Sequence, residues 1–116
     1  MTNDQRTMNG CSALHPDPRL STAAMQHSVE MNVLHYFAHD TPSGVSPWSR
    51  IESLGYSNPS AENIAVGQPT PAAVVAAWMA SPGHRANILD CRSKAIGVGV
   101  QLGAGGPWWT QDFGYS

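Results

Sequence analysis

Apolar residues recur at helical spacing over the first third of the chain. The clearest run is formed by Leu20, Ala24, Ser28, Met31 and Leu34. This spacing predicts a long helix that begins at Ser21 or Thr22 and runs to about His39. Residues 2–9 are typical of the end of a helix, because Gly10 follows them and glycine commonly ends helices.

Prolines divide the middle of the chain into short segments. The two prolines of HPDPR (15–19) predict a loop, because the residue before a proline is driven away from helical geometry. A Ser or Thr cap followed by a proline, the usual start of a helix, occurs at Ser46–Pro47, Thr70–Pro71 and Ser81–Pro82. The first of these helices can end at Gly55. Residues 60–66, SAENIAV, are ambiguous and are interpreted as a helical turn running into extended chain.

The pattern changes from helical to alternating after Cys91. The alternating apolar residues are Ile96, Val98, Val100 and Leu102. They predict a strand, and GAGG (103–106) with PWWTQDFG predicts the turn and the returning strand of a hairpin. Because Gly97 and Gly99 share the opposite face of this strand, we expect a helix or the floor of a cleft to press on them. Helices followed by an antiparallel hairpin indicate the α+β class.

Composition narrows the range of functions. The 116 residues are predicted to form a single domain, 1–116. Charged residues make up 12%, against about 25% in typical domains, and the net charge is −2. No basic stripe supports a nucleic-acid partner, and no apolar run approaches the ~20 residues of a transmembrane helix.

Two cysteines, Cys11 and Cys91, leave two interpretations open. They form either one disulfide, which indicates an oxidising compartment, or two buried free thiols. Their spacing is not that of a metal site. No signal peptide is recognisable at the first residues, so an exported protein is expected to be represented here by its mature part.

Three of the histidines are candidates for a metal site or for a structural role. His35 and His39 are four residues apart, the spacing that some zinc sites use on a helix, but Tyr36 replaces the glutamate of that motif. His27 lies beside the apolar stripe and is interpreted as a core histidine with one hydrogen bond. His39 either compensates the dipole at the end of the long helix or belongs to a site.

The remaining candidate functional residues are Glu62 and two residues at the start of the last helix, Ser81 and His84. Glu62 lies among small and apolar residues, so it either caps a turn or faces a cleft and a cation. Ser81 and His84 are three apart, as a nucleophile and its base can be, but a capping serine is far commoner and no orienting acid lies nearby in the sequence.

Five stretches then occur together in order: HYFAHDTPSGVSPWSRI, AENIA, WMASPGHRANIL, IGVGV and WWTQDFG. From about Asn3 to Gly114 the chain resembles the bacterial branch of the CAP superfamily, also called the SCP-like or cysteine-rich secretory, antigen 5 and pathogenesis-related family. The resemblance implies a three-layer α/β/α sandwich with a small central antiparallel sheet. It also implies export, which agrees with a Cys11–Cys91 disulfide.

The resemblance further implies a cleft with two histidines and two acids, in which the histidines of several members hold a divalent cation, often zinc. His39 matches the first histidine and Glu62 matches the acid of the motif GEN, here AEN. Trp109 stands at the position of the second histidine and Ser81 at that of the second acid, so His84 is interpreted as the replacement imidazole. The expected cleft residues are therefore His39, Glu62, His84, Ser81, Trp109 and Gln111.

We expect a secreted, monomeric and non-enzymatic binding domain. Its cleft is expected to take a weakly bound divalent cation such as zinc, or a small lipid, sterol, glycan or other cell-wall component. One alternative is a zinc-dependent peptidase or esterase, with His39 and His84 on the metal and Glu62 as general base. Another is a structural module associated with the cell wall. The first two of these functions require His39, Glu62 and His84 to converge.

Overall fold

Five helices and four strands build the chain, which the computed structural model describes from residue 1 to residue 116. In chain order the elements are α1 (Thr2–Met8), β1 (His15–Pro16), α2 (Pro18–Leu34), α3 (Pro47–Glu52), β2 (Pro59–Val66), α4 (Pro71–Ala80), α5 (Pro82–Ile88), β3 (Ala95–Gln101) and β4 (Trp108–Gly114). None of the helices combines the length and the apolar character that crossing a membrane requires.

The strands form one sheet in the order β1-β3-β4-β2. Strand β4 is antiparallel to both β3 and β2, and the two-residue β1 pairs in parallel with β3, so the sheet is mixed. Helices α2 and α3 pack on one face, while α1, α4 and α5 lie on the other. The predicted α+β sandwich is confirmed, and β2 is an edge strand of its sheet.

Helix α2 differs from its prediction at both ends. It begins at Pro18, because the Asp17 side chain accepts a hydrogen bond from the backbone N–H of Arg19 at 2.8 Å. It ends at Leu34, because His35 adopts left-handed backbone angles (φ 53°, ψ 56°). His39 therefore does not end this helix, so neither dipole compensation nor a shared helical face with His35 describes it.

Two further segments were predicted wrongly. Residues 60–66 contain no helical turn, since the whole of Pro59–Val66 is strand. Both faces of this strand are covered, so its sequence lacks the alternation of apolar and polar residues by which a strand is recognised. Within the predicted loop, His15 and Pro16 pair with β3 before α2 begins at Pro18.

The Ser/Thr–Pro starts of α3, α4 and α5 are confirmed, with one exception in the capping. Ser46 and Thr70 each accept a hydrogen bond from a backbone N–H three residues later, at 3.1 Å. Ser81 makes no such bond. It ends α4 and precedes α5 at once, and its extended backbone lets the chain change direction between the two helices.

The glycine face of β3 is closed by α2, as predicted. A Cβ placed on Gly97 would collide with the backbone of Leu20 and Ser21, and one on Gly99 with the backbone of Met25. On the opposite face Val98 and Val100 are partly exposed. The close approach of helix and strand thus depends on the glycines, and the valines of the alternating pattern do not form the centre of the core.

Cys11 and Cys91 are disulfide-bonded, which confirms the pairing. The bond ties the segment after α1 to the loop after α5. The fully buried Arg6 supports the same junction, because its guanidinium donates to the backbone oxygens of Ile88 and Ser93. The C-terminal end of α5 is therefore held both covalently and by hydrogen bonds.

Candidate functional site

Glu62 on β2 is the centre of a buried polar group. Only 1% of its side chain is exposed. His39 Nδ1 donates to its Oε1 at 3.0 Å, and Arg50 donates to its Oε2 at 2.7 Å. Arg50 also donates to the backbone oxygen of His39 at 2.8 Å. The three residues therefore close a ring of charge-assisted hydrogen bonds between β2, α3 and the loop after α2.

Arg50 is a part of this site that sequence reasoning missed. It lies on the buried side of α3, a helix whose start is set by Ser46 and Pro47. A basic residue in a short helix carries no signal of burial by itself. A buried arginine needs a paired charge, however, and so does a buried glutamate. The ion pair therefore accounts for the burial of both Glu62 and Arg50.

His27 supports the segment that carries His39. It is fully buried, and its Nε2 donates to the backbone oxygen of Ala38 at 2.8 Å. The Tyr36 hydroxyl lies 3.4 Å from its Nδ1. Burial, together with the positive charge of Arg50, lowers the pKa of His27, which keeps the imidazole neutral. The interpretation as a core histidine is confirmed.

Asp112 is the second residue that sequence reasoning missed. It stands opposite Glu62 in the β2–β4 ladder and is fully buried. Neither of its oxygens receives a hydrogen bond from a donor of the chain. Burial raises the pKa of Asp112 well above its usual range, and the negative charge of Glu62 raises it further. Asp112 therefore keeps its proton and uses it in a hydrogen bond to Glu62.

The charge states of the group follow from these contacts. Burial acts to raise the pKa of Glu62, but hydrogen bonds from His39 and Asp112 and the charge of Arg50 outweigh it, so that the pKa is lowered. The hydrogen bond to Glu62 raises the pKa of His39. Glu62 is thus a carboxylate fixed between donors. His39 is about half exposed and keeps Nε2 for a ligand.

His84 lies beside this group but outside its hydrogen bonds. Asn63 of β2 donates to the backbone oxygen of His84 at 3.2 Å. Burial lowers the pKa of the His84 imidazole, and the positive charge of His39 lowers it further. Ser81 and His84 together line a cavity of about 290 Å³ with Phe37. No hydrogen bond joins Ser81 to His84 as a nucleophile would need.

Trp109 and Gln111 are not brought to this group. Both lie on the other face of β4, since side chains alternate along a strand. The Trp109 indole donates to the backbone oxygen of Gln68 at 2.9 Å, and Gln111 donates to Thr2 at 2.7 Å. Together they line a separate cavity near α1 and α4.

A cleft of about 360 Å³ opens at the edge of β2, on the side of His39. We call it the β2 cleft. It is lined by His39, Asp40, Pro47, Trp48, Ser60, Ala61, Glu62 and Asn87. Asn87 of α5 closes one side and donates to Asn63 at 2.9 Å. The cleft is thus formed between α3 and α5, with β2 at its floor.

The donor set fits only a weak contact with a divalent cation. His39 Nε2 is the free imidazole nitrogen in the β2 cleft, and the His84 imidazole lines the separate cavity with Ser81 and Phe37. Both oxygens of Glu62 are already bonded. No group of three or more His, Cys, Asp or Glu side chains is arranged to hold a metal ion. Two imidazoles alone leave two or more positions of zinc to water or an anion.

Comparisons with known proteins agree with this architecture. The profile of the Cysteine-rich secretory protein family (CAP) matches residues 1–113, and the chain belongs to this family. It is 44% identical over 114 residues to the uncharacterized protein YkwD of Bacillus subtilis, a match covering 97% of this chain.

Solved structures show the same fold. An extracellular protein containing an SCP domain from Bacillus anthracis superposes with a TM-score of 0.89 at 30% identity, over 99% of this chain and 38% of that one. An outer surface protein of Borrelia burgdorferi, at 18% identity, has a TM-score of 0.82 over 97% of this chain and 85% of its own. The chain spans 44% of the length of YkwD, so it corresponds to one part of that protein.

Proposed function

We propose that this chain is an exported, non-enzymatic binding domain whose β2 cleft takes a small ligand through His39. The observation that carries the proposal is the state of Glu62, because both of its oxygens already accept hydrogen bonds and its side chain is almost fully buried. Such a carboxylate orients His39, and its engaged oxygens and its burial both oppose a role in activating water.

Export is supported by two independent observations. The chain carries a disulfide, a bond that persists in oxidising compartments. A structural neighbour at 30% identity is described as an extracellular protein.

The hydrolase alternative needs Glu62 as a base and a zinc ion on His39 and His84. The hydrogen bonds of Glu62 oppose this, and two protein ligands are one fewer than catalytic zinc usually has. In the structural alternative, His84 only secures α5 against β2. It predicts that His84→Ala lowers the melting temperature and leaves ligand binding unchanged.

The test compares wild type, His39→Ala and the control His15→Ala on arrays of lipids, glycans and peptides. His15 is also exposed but lies on β1, away from the cleft. We expect binding to one array that is lost in His39→Ala and kept in His15→Ala. Failure to bind any array contradicts the proposal. Hydrolysis of a peptide and ester library with zinc supplied, abolished by His84→Ala, would replace it with the hydrolase.

A further inference from the structure

Trp48 is exposed in a way that the other tryptophans are not. Its exposed fraction is 43%, whereas Trp78, Trp108 and Trp109 are at most 7% exposed. An indole offers a large apolar face, and leaving it in water forgoes the stabilisation that burial brings. A single exposed apolar side chain is common on protein surfaces, so the surroundings of Trp48 decide what it does.

Helix α3 holds Trp48 at the rim of the β2 cleft. Two residues further along, Arg50 is bonded to Glu62 and to the backbone of His39, both of which line the same cleft. Pro47, which precedes Trp48, is buried. The indole is therefore presented on an anchored element, which reduces the ordering cost when a ligand binds.

The polar side chains of the β2 cleft suit hydroxyl groups. The charges of Arg50 and Glu62 compensate each other at its floor. His39 Nε2 is free, since its Nδ1 bonds to Glu62. Asn87 donates from Nδ2 to Asn63, so the Oδ1 of Asn87 remains as an acceptor. Asp40 adds exposed carboxylate oxygens. A hydroxyl group both donates and accepts, so it matches this mixture of acceptors and a ring nitrogen.

From the apolar indole face beside these acceptors, we infer that the β2 cleft binds a neutral oligosaccharide. One pyranose ring stacks its C–H face on Trp48, and its hydroxyl groups bond to Asp40, Asn87 and His39. The cleft volume of about 360 Å³ lies at the small end of ligand sites, which suits a short stretch or the end of a glycan. This inference rests on the proposed function and names the ligand class for its site.

A quaternary ammonium ligand fits less well. Such cations are recognised by cages of several aromatic rings, and Trp48 carries the only indole or phenyl ring among the residues that line the cleft. Choline therefore serves as the competing ligand in the test.

The experiment titrates chitotriose, cellotriose and choline into the full chain by calorimetry and by NMR. The variants are Trp48→Ala, Trp48→Phe and the control Leu102→Ala, which removes another exposed apolar side chain away from the cleft. We expect one of the two saccharides to bind with a Kd below about 1 mM. Trp48→Ala should weaken it about tenfold or more, while Trp48→Phe retains most and Leu102→Ala all of the binding.

Each other outcome overturns the inference. Saccharide binding that is unchanged in a folded Trp48→Ala variant places the site elsewhere, and binding of choline alone assigns the cleft to a cation. If neither saccharide binds but an array ligand still depends on His39, the oligosaccharide inference fails while the proposed function stands. If no ligand of any kind binds, both fail.

Discussion

Glu62 on β2 and Asp112 on β4 stand directly opposite each other in the sheet, and both carboxyl groups are buried. Two charged carboxylates at such positions would repel each other in a medium that screens charge poorly. The pair is stable because Asp112 keeps a proton while Glu62 is charged and bonded to His39 and Arg50. The charge of Glu62, and with it the hydrogen bond to His39, thus depends on the protonated state of Asp112.

The first prediction concerns the pH dependence that Asp112 creates. The pKa of Asp112 in the folded chain lies well above its ordinary value of 3.8. Such an acid stabilises the fold fully below the unfolded pKa, and this contribution is lost as pH rises through the folded pKa. Asp112→Asn keeps a donor toward Glu62 without a titrating proton. The variant should therefore gain stability relative to wild type as pH rises, reaching about 1–3 kcal/mol, the range for one buried group left without a partner.

Urea denaturation of both proteins from about pH 3 to about pH 9 measures this difference, a range that begins below the unfolded pKa of Asp112. The comparison isolates Asp112, because Glu62, His39, His27 and Arg50 are present in both proteins. A difference that does not change with pH would show that Asp112 is not a protonated partner of Glu62.

The second prediction concerns the ion pair between Glu62 and Arg50. Glu62→Gln leaves the buried guanidinium of Arg50 without a counter-charge, so we expect a loss of about 3–5 kcal/mol in the free energy of unfolding. Glu52→Gln removes the same charge from an exposed position of α3 and should change stability by no more than about 0.5 kcal/mol. Equal effects of the two substitutions in guanidinium denaturation would contradict the assigned pair.

The third prediction concerns weak zinc binding by His39 and His84. Calorimetric titration should give binding that is lost in His39→Ala and in His84→Ala and kept in His15→Ala. Protons compete with the metal for imidazole, and the pKa of His39 is raised above its ordinary 6.5 by Glu62. The affinity should therefore begin to fall at a higher pH than for a free imidazole. If both cleft variants bind zinc as wild type does, His84 is a structural residue at the start of α5.

The fourth prediction concerns the contact between α2 and β3. Gly99→Ala places a methyl group against the backbone of Ala24 and Met25, which cannot move aside as a side chain can. We expect a loss of about 3 kcal/mol or more in thermal or chemical denaturation, at the upper end of overpacking effects. Gly83→Ala is the matched control, because nothing lies within 4 Å of its new methyl group. As a helical position it should gain about 0.5–1 kcal/mol. A neutral Gly99→Ala would mean that α2 can withdraw from the sheet.

Local features of this chain were readable from its sequence. The Ser/Thr–Pro pairs predicted the starts of α3, α4 and α5, because the first turn of a helix is specified by a few neighbouring residues. The alternation around Gly97 and Gly99 predicted β3 and the approach of another element to its glycine face. The family motifs led to His39 and Glu62, and these two residues are in contact.

The tertiary structure alone decided how the distant parts combine. Asp112 faces Glu62 because the β2–β4 register sets them opposite each other, although they are far apart in the chain, and that register depends on which faces of both strands are buried. The same register turns Trp109 and Gln111 to the opposite face. Arg50 became part of the site because α3 packs beside β2, which removes its charge from water and leaves Glu62 as its partner. Burial and register are properties of the packed chain, so they cannot be predicted from a local sequence pattern.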